Sequence, residues 1–532
     1  MSLFPFQDVG SLGWLPDIPA HDLQQPDGIR TTQLSWNTIR NFNFRGGLAE
    51  RSQGYGSGFG TVQQIPYFLT AATKTDGTAY LVAGGTSKVY SYTGTTATDI
   101  SKTATTYSAT ADTRWTGGVF TGFVVLNNSV ENPQFCAISN LGSANALTDL
   151  TNWPASTTCK VFRPFKYFLV AGYTTESATA YPYKVRWSNS AVPGALPTSW
   201  VASAANDAGS VDLSENDGEI IDMFPIGDQM AIFRRGGVWL MRYVGGTDAA
   251  NRLVMAFNRV QASGATGILA NNCADMVPGK GLVVLSESDV YLFNGSMAES
   301  IVNNRARKYL FNNIDPTNRK RAYVVTDLGQ NDVKICFPSI GSTSCDVALV
   351  WNYVDNTLGF RDLPTSTCGL SGFLAEGSTA TIDALTGTAD NLTGVIDALG
   401  AGASTRKTAI GSAATKIYVL GSKPDNDGAT LTAELRRSGI NFGNPESVKY
   451  LKAIWPRFDA AAGQTITVTI GYSMWPDETY NYTTPFTYTV GTTQKVDIDC
   501  SGRFFEFWFK STSGASWRIR SLEADVVIRG LY

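Results

Sequence analysis

The sequence holds a single histidine, His21. Metal sites built from several imidazoles are thereby excluded, and a Ser–His–Asp arrangement would have to use this one residue. No GxSxG nucleophile elbow accompanies it. Its expected role is that of a solvated or interface side chain. Charge is also scarce: 16% of residues are Asp, Glu, Lys or Arg, well below the usual quarter, and the net charge is −3. An avid electrostatic grip on a nucleic-acid backbone needs clustered excess cation and is not expected. The seven cysteines are scattered, odd in number and free of any CxxC pair, so they read as reduced, buried thiols. Cys336 and Cys345 could bridge a hairpin, which spacing alone does not decide. No EF-hand loop and no other metal or cofactor motif is present, so no cofactor is expected. The first residues lack the basic start and apolar run of a secretory signal. No stretch approaches the roughly 18 continuous apolar residues of a membrane span. The expectation is synthesis in a cytoplasm, with no membrane anchor.

What is present is β-sheet pattern. Short apolar runs bounded by Gly, Asn, Asp, Ser and Thr dominate, and long amphipathic helical patterns are missing. Between about residues 60 and 366 one unit recurs: an apolar strand, a polar turn, and a second strand often carrying an aromatic. The copies are Tyr80–Ala83 with Val89–Tyr92, Phe123–Leu126 with Gln134–Ile138, and Tyr167–Ala171 with Lys184–Ser188. Met230–Phe233 with Val238–Met241, Leu282–Leu285 with Val290–Phe293, and Tyr323–Thr326 with Val333–Phe337 complete the series. Spacings of about 40 to 65 residues suit one four-stranded propeller blade per copy. The fold class is therefore all-β: a β-propeller of about six blades over residues 59–366, plus a C-terminal β-sandwich platform domain over 446–532. Residues 1–58 read as an N-terminal arm contributing to that platform. A long array of β-sandwiches is the structural rival.

Residues 367–445 read as a turn-rich connector. They contain a seven-residue repeat with Asp383, Asp390 and Asp397 in register with Leu385, Leu392 and Leu399. Gly387, Gly394 and frequent Thr argue against a heptad coiled coil and for a series of turns. In the C-terminal part, Ile466–Tyr472 and Phe486–Val490 alternate clearly. The aromatic run Phe504–Phe509 has to be central in its sheet or covered by a partner, because a bare edge of this kind aggregates.

Candidate site residues are few. The acidic stretch 214–219 resembles a sialidase Asp-box only loosely, without its closing Trp, and reads as a solvated turn. Basic residues cluster as Arg234 and Arg235; Arg305, Arg307 and Lys308; Arg319, Lys320 and Arg321; and Arg436 and Arg437. Solvated turns and inter-subunit ion pairs account for such clusters. The sharper reading of Arg234, Arg235, Arg305, Arg307, Lys308, Arg319, Lys320 and Arg321 is a channel or subunit-interface lining.

Four stretches, in order along the chain, carry a family resemblance. They are the leader Pro16–Pro19, Asp22–Leu23, Trp36–Asn37 and Asn41–Arg51; the run Gly227–Gly245 followed by Val283–Gly295; the Asp-x-Leu-Thr-Gly repeat followed by Gly439–Gly443; and Gly502–Phe509 with Trp517–Ile519. Together they resemble the tail nozzle proteins of short-tailed bacteriophages, the tail tubular protein B and packaged-DNA stabilisation group. The resemblance implies a non-enzymatic virion tail protein, a homohexamer beneath the portal and adaptor rings that extends the DNA-ejection channel. It also implies retention of packaged genome and contact with the tail adaptor ring, with tail fibres or spikes, and with the phage DNA passing through. The rival functions are a glycan- or receptor-binding propeller adhesin and, further off, a propeller glycosidase using carboxylates alone. From the irregular leader, deletion of residues 1–55 is expected to leave the propeller folded and abolish ring assembly.

Overall fold

The computed structural model describes residues 2–23, 32–213, 217–245, 254–262, 264–374, 405–476, 478–512 and 515–531. The seven-residue Asp-Leu repeat lies outside them. The chain is all-β. Among the described residues, the one α-helix is Asn303–Asn313.

Small four-stranded antiparallel sheets repeat along the chain in a propeller-like arrangement. Five are separate, built from strands within residues 68–99, 116–149, 157–212, 220–259 and 274–300. Their second strands are apolar runs because both faces are covered: Ala79–Gly84 and Gly281–Leu285 are buried at every position. A sixth unit consists of Tyr323–Asp327, Asp332–Phe337, Cys345–Asn352 and the first half of Thr357–Leu374. That last strand is 18 residues long and changes partners midway. Ser366 pairs with Cys345 on one side and Ser412 on the other. Its second half opens a seventh unit, continued by Thr405–Ser412 and Lys416–Leu420 and finished by Tyr55–Ser57 from the leader. The second half of Thr357–Leu374 also packs against Phe68–Thr73 of the first unit, so the series closes on itself. At Gly369 the backbone runs so close to the sixth unit that a Cβ there would sit 2.7 Å from the Tyr323 ring.

All six sequence-predicted strand pairs form as neighbours. The first five are second and third strands of their units, whereas the sixth pair is the first and second. The expected count of six stops short of the unit that shares a strand with its neighbour and borrows one from the leader. For the same reason the connector assigned to 367–445 is not a run of turns where it is described: residues 405–412, 416–420 and 433–440 are strands.

The remaining strands form two facing antiparallel layers. One contains Ser2–Phe6, Phe42–Arg45, Leu48–Arg51, Ser447–Ala460, Val496–Gly502 and Trp517–Leu531. The other contains Thr38–Arg40, Ala433–Ile440, Phe504–Ser511, Thr465–Ser473 and two short strands, Asn481–Tyr482 and Phe486–Thr489. Aromatic rings fill the space between them: Phe6 meets Phe507 at 5.7 Å and Phe458 meets Phe509 at 5.7 Å, both edge-on. The aromatic run Phe504–Phe509 is central, flanked by Ala433–Ile440 and Thr465–Ser473. The leader is thus built into the C-terminal layers, and Phe42 also bridges to Phe360 in the sixth unit. All seven cysteines are buried and unbridged, Cys336 and Cys345 included. Among the described residues, no helix is long and apolar enough to cross a membrane.

Candidate functional site

First strands of the repeating units surround one axis, and the side chains they send inward define its chemistry. A cavity of about 220 Å³ lies there, lined from all seven units by residues including Leu69, Gly117, Arg163, Phe224, Asp275, Val325 and Leu370. Arg163 crosses this space. Its Nε and Nη2 donate to Asp222 at 3.0 and 2.8 Å, its Nη2 also donates to Asn272 Oδ1 at 2.7 Å, and its Nη1 donates to the Gly117 carbonyl. Asn272 in turn donates its backbone N–H to Asp222 at 2.7 Å. Arg114 ties the sixth and seventh units to the second by donating to the carbonyls of Thr367, Lys320 and Ala322. Asp275 accepts from the backbone N–H groups of Thr326 and Met276, and burial pushes its carboxyl above the ordinary range. The axis is therefore crossed by a polar network in which Arg163, Asp222 and Asn272 hydrogen-bond one another.

At one end of this axis a second cavity, about 370 Å³, is lined by Arg114, Lys160, Arg235 and Lys320 against Asp112 and Glu219. Several of the predicted basic residues gather around it. Arg235 pairs with Glu219 at 2.8 Å and with Glu287 at 3.3 Å, and Arg319 reaches the same Glu287 at 3.6 Å. Glu219 is also met by Lys160, and its carboxyl is held below the ordinary range despite partial burial. Arg321 pairs with Asp112 at 2.8 Å and donates to the Thr343 carbonyl; Lys320 is exposed.

The other predicted residues lie elsewhere. Arg234 is fully buried, bonded to the carbonyls of Gly218 and Leu213 with its guanidinium over the Tyr183 ring, so it lines no channel. Its neighbour Arg235 lies in the turn just after the strand Gln229–Arg234 and reaches solvent there. Arg305, Arg307 and Lys308 stand on the helix Asn303–Asn313. Arg305 donates to the carbonyls of Ile301 and Asn356, Arg307 pairs with Asp289 at 2.7 Å, and Lys308 is exposed. Arg307 and Lys308 line a shallow groove with Glu287, which links them to the Arg235–Arg319 group. Arg437 is buried and donates to the Ala20 carbonyl, while Arg436 stacks 3.5 Å above the Trp508 ring.

The acidic stretch is not a solvated turn where it is described. Asp217 is buried, grips Arg259 through both oxygens at 2.7 Å and accepts from Trp239. The Arg259 guanidinium holds its carboxyl below the ordinary range. His21 is exposed, 3.9 Å from Asp22. Arg114, Arg163, Asp222 and Asn272 were not singled out from sequence. The available signal was Arg163 itself, the one charge in the apolar run Val161–Phe165, since an isolated charge in a buried strand needs a buried partner.

No protein-family model matches the sequence, and no curated protein matches it. Among solved structures, apo AztD from Citrobacter koseri aligns with a TM-score of 0.30 at 9% identity, over 56% of this chain and 86% of that one. A second crystal structure of Citrobacter koseri AztD gives 0.31 at 10% identity, over 64% and 80%. Human WBSCR16 gives 0.32 at 10% identity, over 69% and 95%. Likenesses this loose carry no argument about function.

Proposed function

We propose that the chain is a structural subunit of a short-tailed phage particle, one of six copies in a tail nozzle that extends the DNA-ejection channel and helps retain packaged genome. On this reading the repeating units are the blades of a propeller, the two facing layers are a β-sandwich platform, and the protein is no enzyme. The observation that carries it is the interleaving of the leader with the C-terminal layers: strands within residues 2–51 pair with strands of residues 433–440 and 517–531. A platform made jointly by leader and C-terminal part is the layout that the family resemblance implies. The DNA would pass between the six copies, because the axis of each ring is crossed by Arg163, Asp222 and Asn272 and leaves only a cavity of about 220 Å³, far too small for a duplex. Exposed Arg235, Lys308 and Lys320, with the half-buried Arg307 and Arg319, would then face the duplex or a neighbouring copy. The adaptor ring and the fibres or spikes would be the other partners.

The test is assembly state. Native mass measurement and negative-stain imaging of the purified full chain should give a sixfold ring. A monomer that binds glycans would replace the nozzle by the adhesin reading. That rival has one specific observation in its favour, the 62% exposed Trp475 under the Arg503 guanidinium. Steady turnover of a polysaccharide would refute the non-enzymatic reading.

A further inference from the structure

The turn at residues 294–297 joins the strands Val290–Phe293 and Ala298–Ser300, third and fourth of the fifth unit. It holds the one Asn-Gly step of the sequence, Asn294-Gly295. A side-chain amide with a glycine after it has a reaction within reach: the glycine nitrogen attacks the amide carbon of its neighbour. The turn favours each part of that reaction. Asn294 Oδ1 accepts from the backbone N–H groups of Ser296 and Met297 at 3.0 and 2.8 Å and from the Ser296 hydroxyl at 3.1 Å. Donors so placed stabilise the negative charge that Oδ1 gains when Cγ is attacked. Among the described residues, neither the Gly295 N–H nor Asn294 Nδ2 makes a hydrogen bond, so the attacking and the leaving nitrogens are both unheld. Asn294, Ser296 and Met297 are exposed, and the nearest atom to a Cβ built on Gly295 is a methyl carbon of Ile226 at 3.9 Å. Gly295 has φ +97°, which a residue with a side chain rarely adopts. Asn128, followed by Ser129, is the opposite case: it is 3% exposed and its Nδ2 donates to Glu131.

We propose that Asn294 is a self-modification site, where the folded turn converts asparagine to aspartate and isoaspartate with solvent water as co-reactant. Solvent hydroxide takes the Gly295 N–H proton, and the nitrogen forms a bond to Asn294 Cγ. The Cγ–Nδ2 bond then breaks, and the departing nitrogen takes a proton back from water and leaves as ammonia. The product of this step is a succinimide ring. Water adds to one of its two carbonyls. Opening on one side leaves aspartate; opening on the other leaves isoaspartate, in which the backbone runs through the side chain. No electrons are exchanged, and the sum is amide plus water to acid plus ammonia. Either product puts a carboxylate where three donors converge. Isoaspartate also lengthens the turn and so loosens the short strand Ala298–Ser300. The inference is independent of the nozzle reading, because every reacting atom lies within residues 294–297.

The experiment is peptide mapping by mass spectrometry on the full chain, held for weeks in mildly alkaline buffer at body temperature. An isoaspartate-specific methyltransferase labels the second product. The peptide containing Asn294 should show the mass change of amide to acid before any other asparagine does, with both products present. Gly295→Ala should slow the reaction about tenfold or more, because the added Cβ disfavours the turn conformation and crowds the attack. Ser296→Ala removes one of the donors on Oδ1 and should slow it severalfold in the folded chain, with no effect in guanidinium chloride. An Asn294 that stays intact in the folded chain while it reacts in guanidinium chloride overturns the proposal. So does a Ser296→Ala chain that reacts at the wild-type rate when folded, or a product that contains aspartate alone.

Discussion

Arg163 on the strand Thr157–Phe165 and Asp222 on the strand Ile220–Ile226 form a two-pronged ion pair at the axis, with N–O distances of 3.0 and 2.8 Å. Asp222 is fully buried and the Arg163 side chain is 10% exposed. The pair therefore joins the third and fourth units where solvent cannot substitute for either partner. Removing one member strands the other charge. Arg163→Met or Asp222→Leu alone should cost about 3–5 kcal/mol, whereas the double apolar replacement should recover most of it. Chemical denaturation of the two single variants and the double variant measures the difference, and additive losses would contradict the coupling.

The leader also completes the seventh unit. Tyr55, Gly56 and Ser57 pair with Leu420, Val419 and Tyr418. Trp14 packs edge-on against Phe360 and Tyr309. The sequence-based expectation that residues 1–55 are dispensable for folding therefore gives way to the opposite one. A chain lacking residues 1–57 should lose the fourth strand of its seventh unit and expose the edge Lys416–Leu420. Limited proteolysis should then cut after Lys407 or Lys416 much sooner than in the full chain. Equal protection of both chains would show that the added strand is not needed.

The thiols offer a test of the interior as a whole. All seven cysteines are buried, and burial pushes Cys136 up to about 11 and Cys336, Cys368 and Cys500 to about 12. A thiol that is both inaccessible and protonated does not react. Under native conditions a disulfide-exchange reagent should titrate none of them, and in guanidinium chloride it should titrate all seven. A fast native reaction at Cys336 or Cys345 would mean that the sixth unit opens.

Lys449 gives the stability a pH dependence. It is fully buried, and its ammonium donates to the carbonyls of Ser447 and Arg503 at 2.8 and 3.0 Å. Burial, with a smaller contribution from the Arg503 charge, lowers its pKa to about 8. In the unfolded chain the group titrates near 10.4. Between about pH 8 and that value the unfolded state binds a proton that the folded state has released, so this group adds stability as pH rises through the window. Below about pH 8 both states are charged and the full burial cost applies. Thermal melts of wild type and Lys449→Met at pH 7 and pH 10 isolate it. The wild type should gain on the variant at the higher pH, and an unchanged gap would refute the assignment.

What could be read in advance follows the range of the interactions. The strand pairs from Tyr80–Ala83 to Val333–Phe337 were legible because hairpin partners are sequence neighbours with a visible apolar pattern. The aromatic run Phe504–Phe509 announced its central place by the hazard it would pose at an edge. The seventh unit was not legible, since Tyr55–Ser57 meets a partner more than 350 residues away and nothing local marks the match. Likewise Arg234 and Arg235 look alike in sequence, and only the end of the strand at Arg234 leaves one in the core and puts the other in an exposed turn. Asp217 reads as a turn residue until Arg259, 42 positions on, closes on it.

The placement of the leader sets an order of events during synthesis. Ser2–Phe6 pairs with residues 522–526, and Tyr55–Ser57 with residues 418–420. Translation delivers the first of these strands well before either partner exists, at about 5–20 residues per second. For tens of seconds the nascent chain therefore carries unpaired edges, while the early units can fold behind them. Completion of the seventh unit has to wait for residues 416–420, and docking of the two layers for residues 517–531, close to release from the ribosome. Long-range pairing of this kind makes folding slow. Expression at reduced temperature, or with a chaperone that shields strand edges, should raise the soluble yield more than any change to the surface.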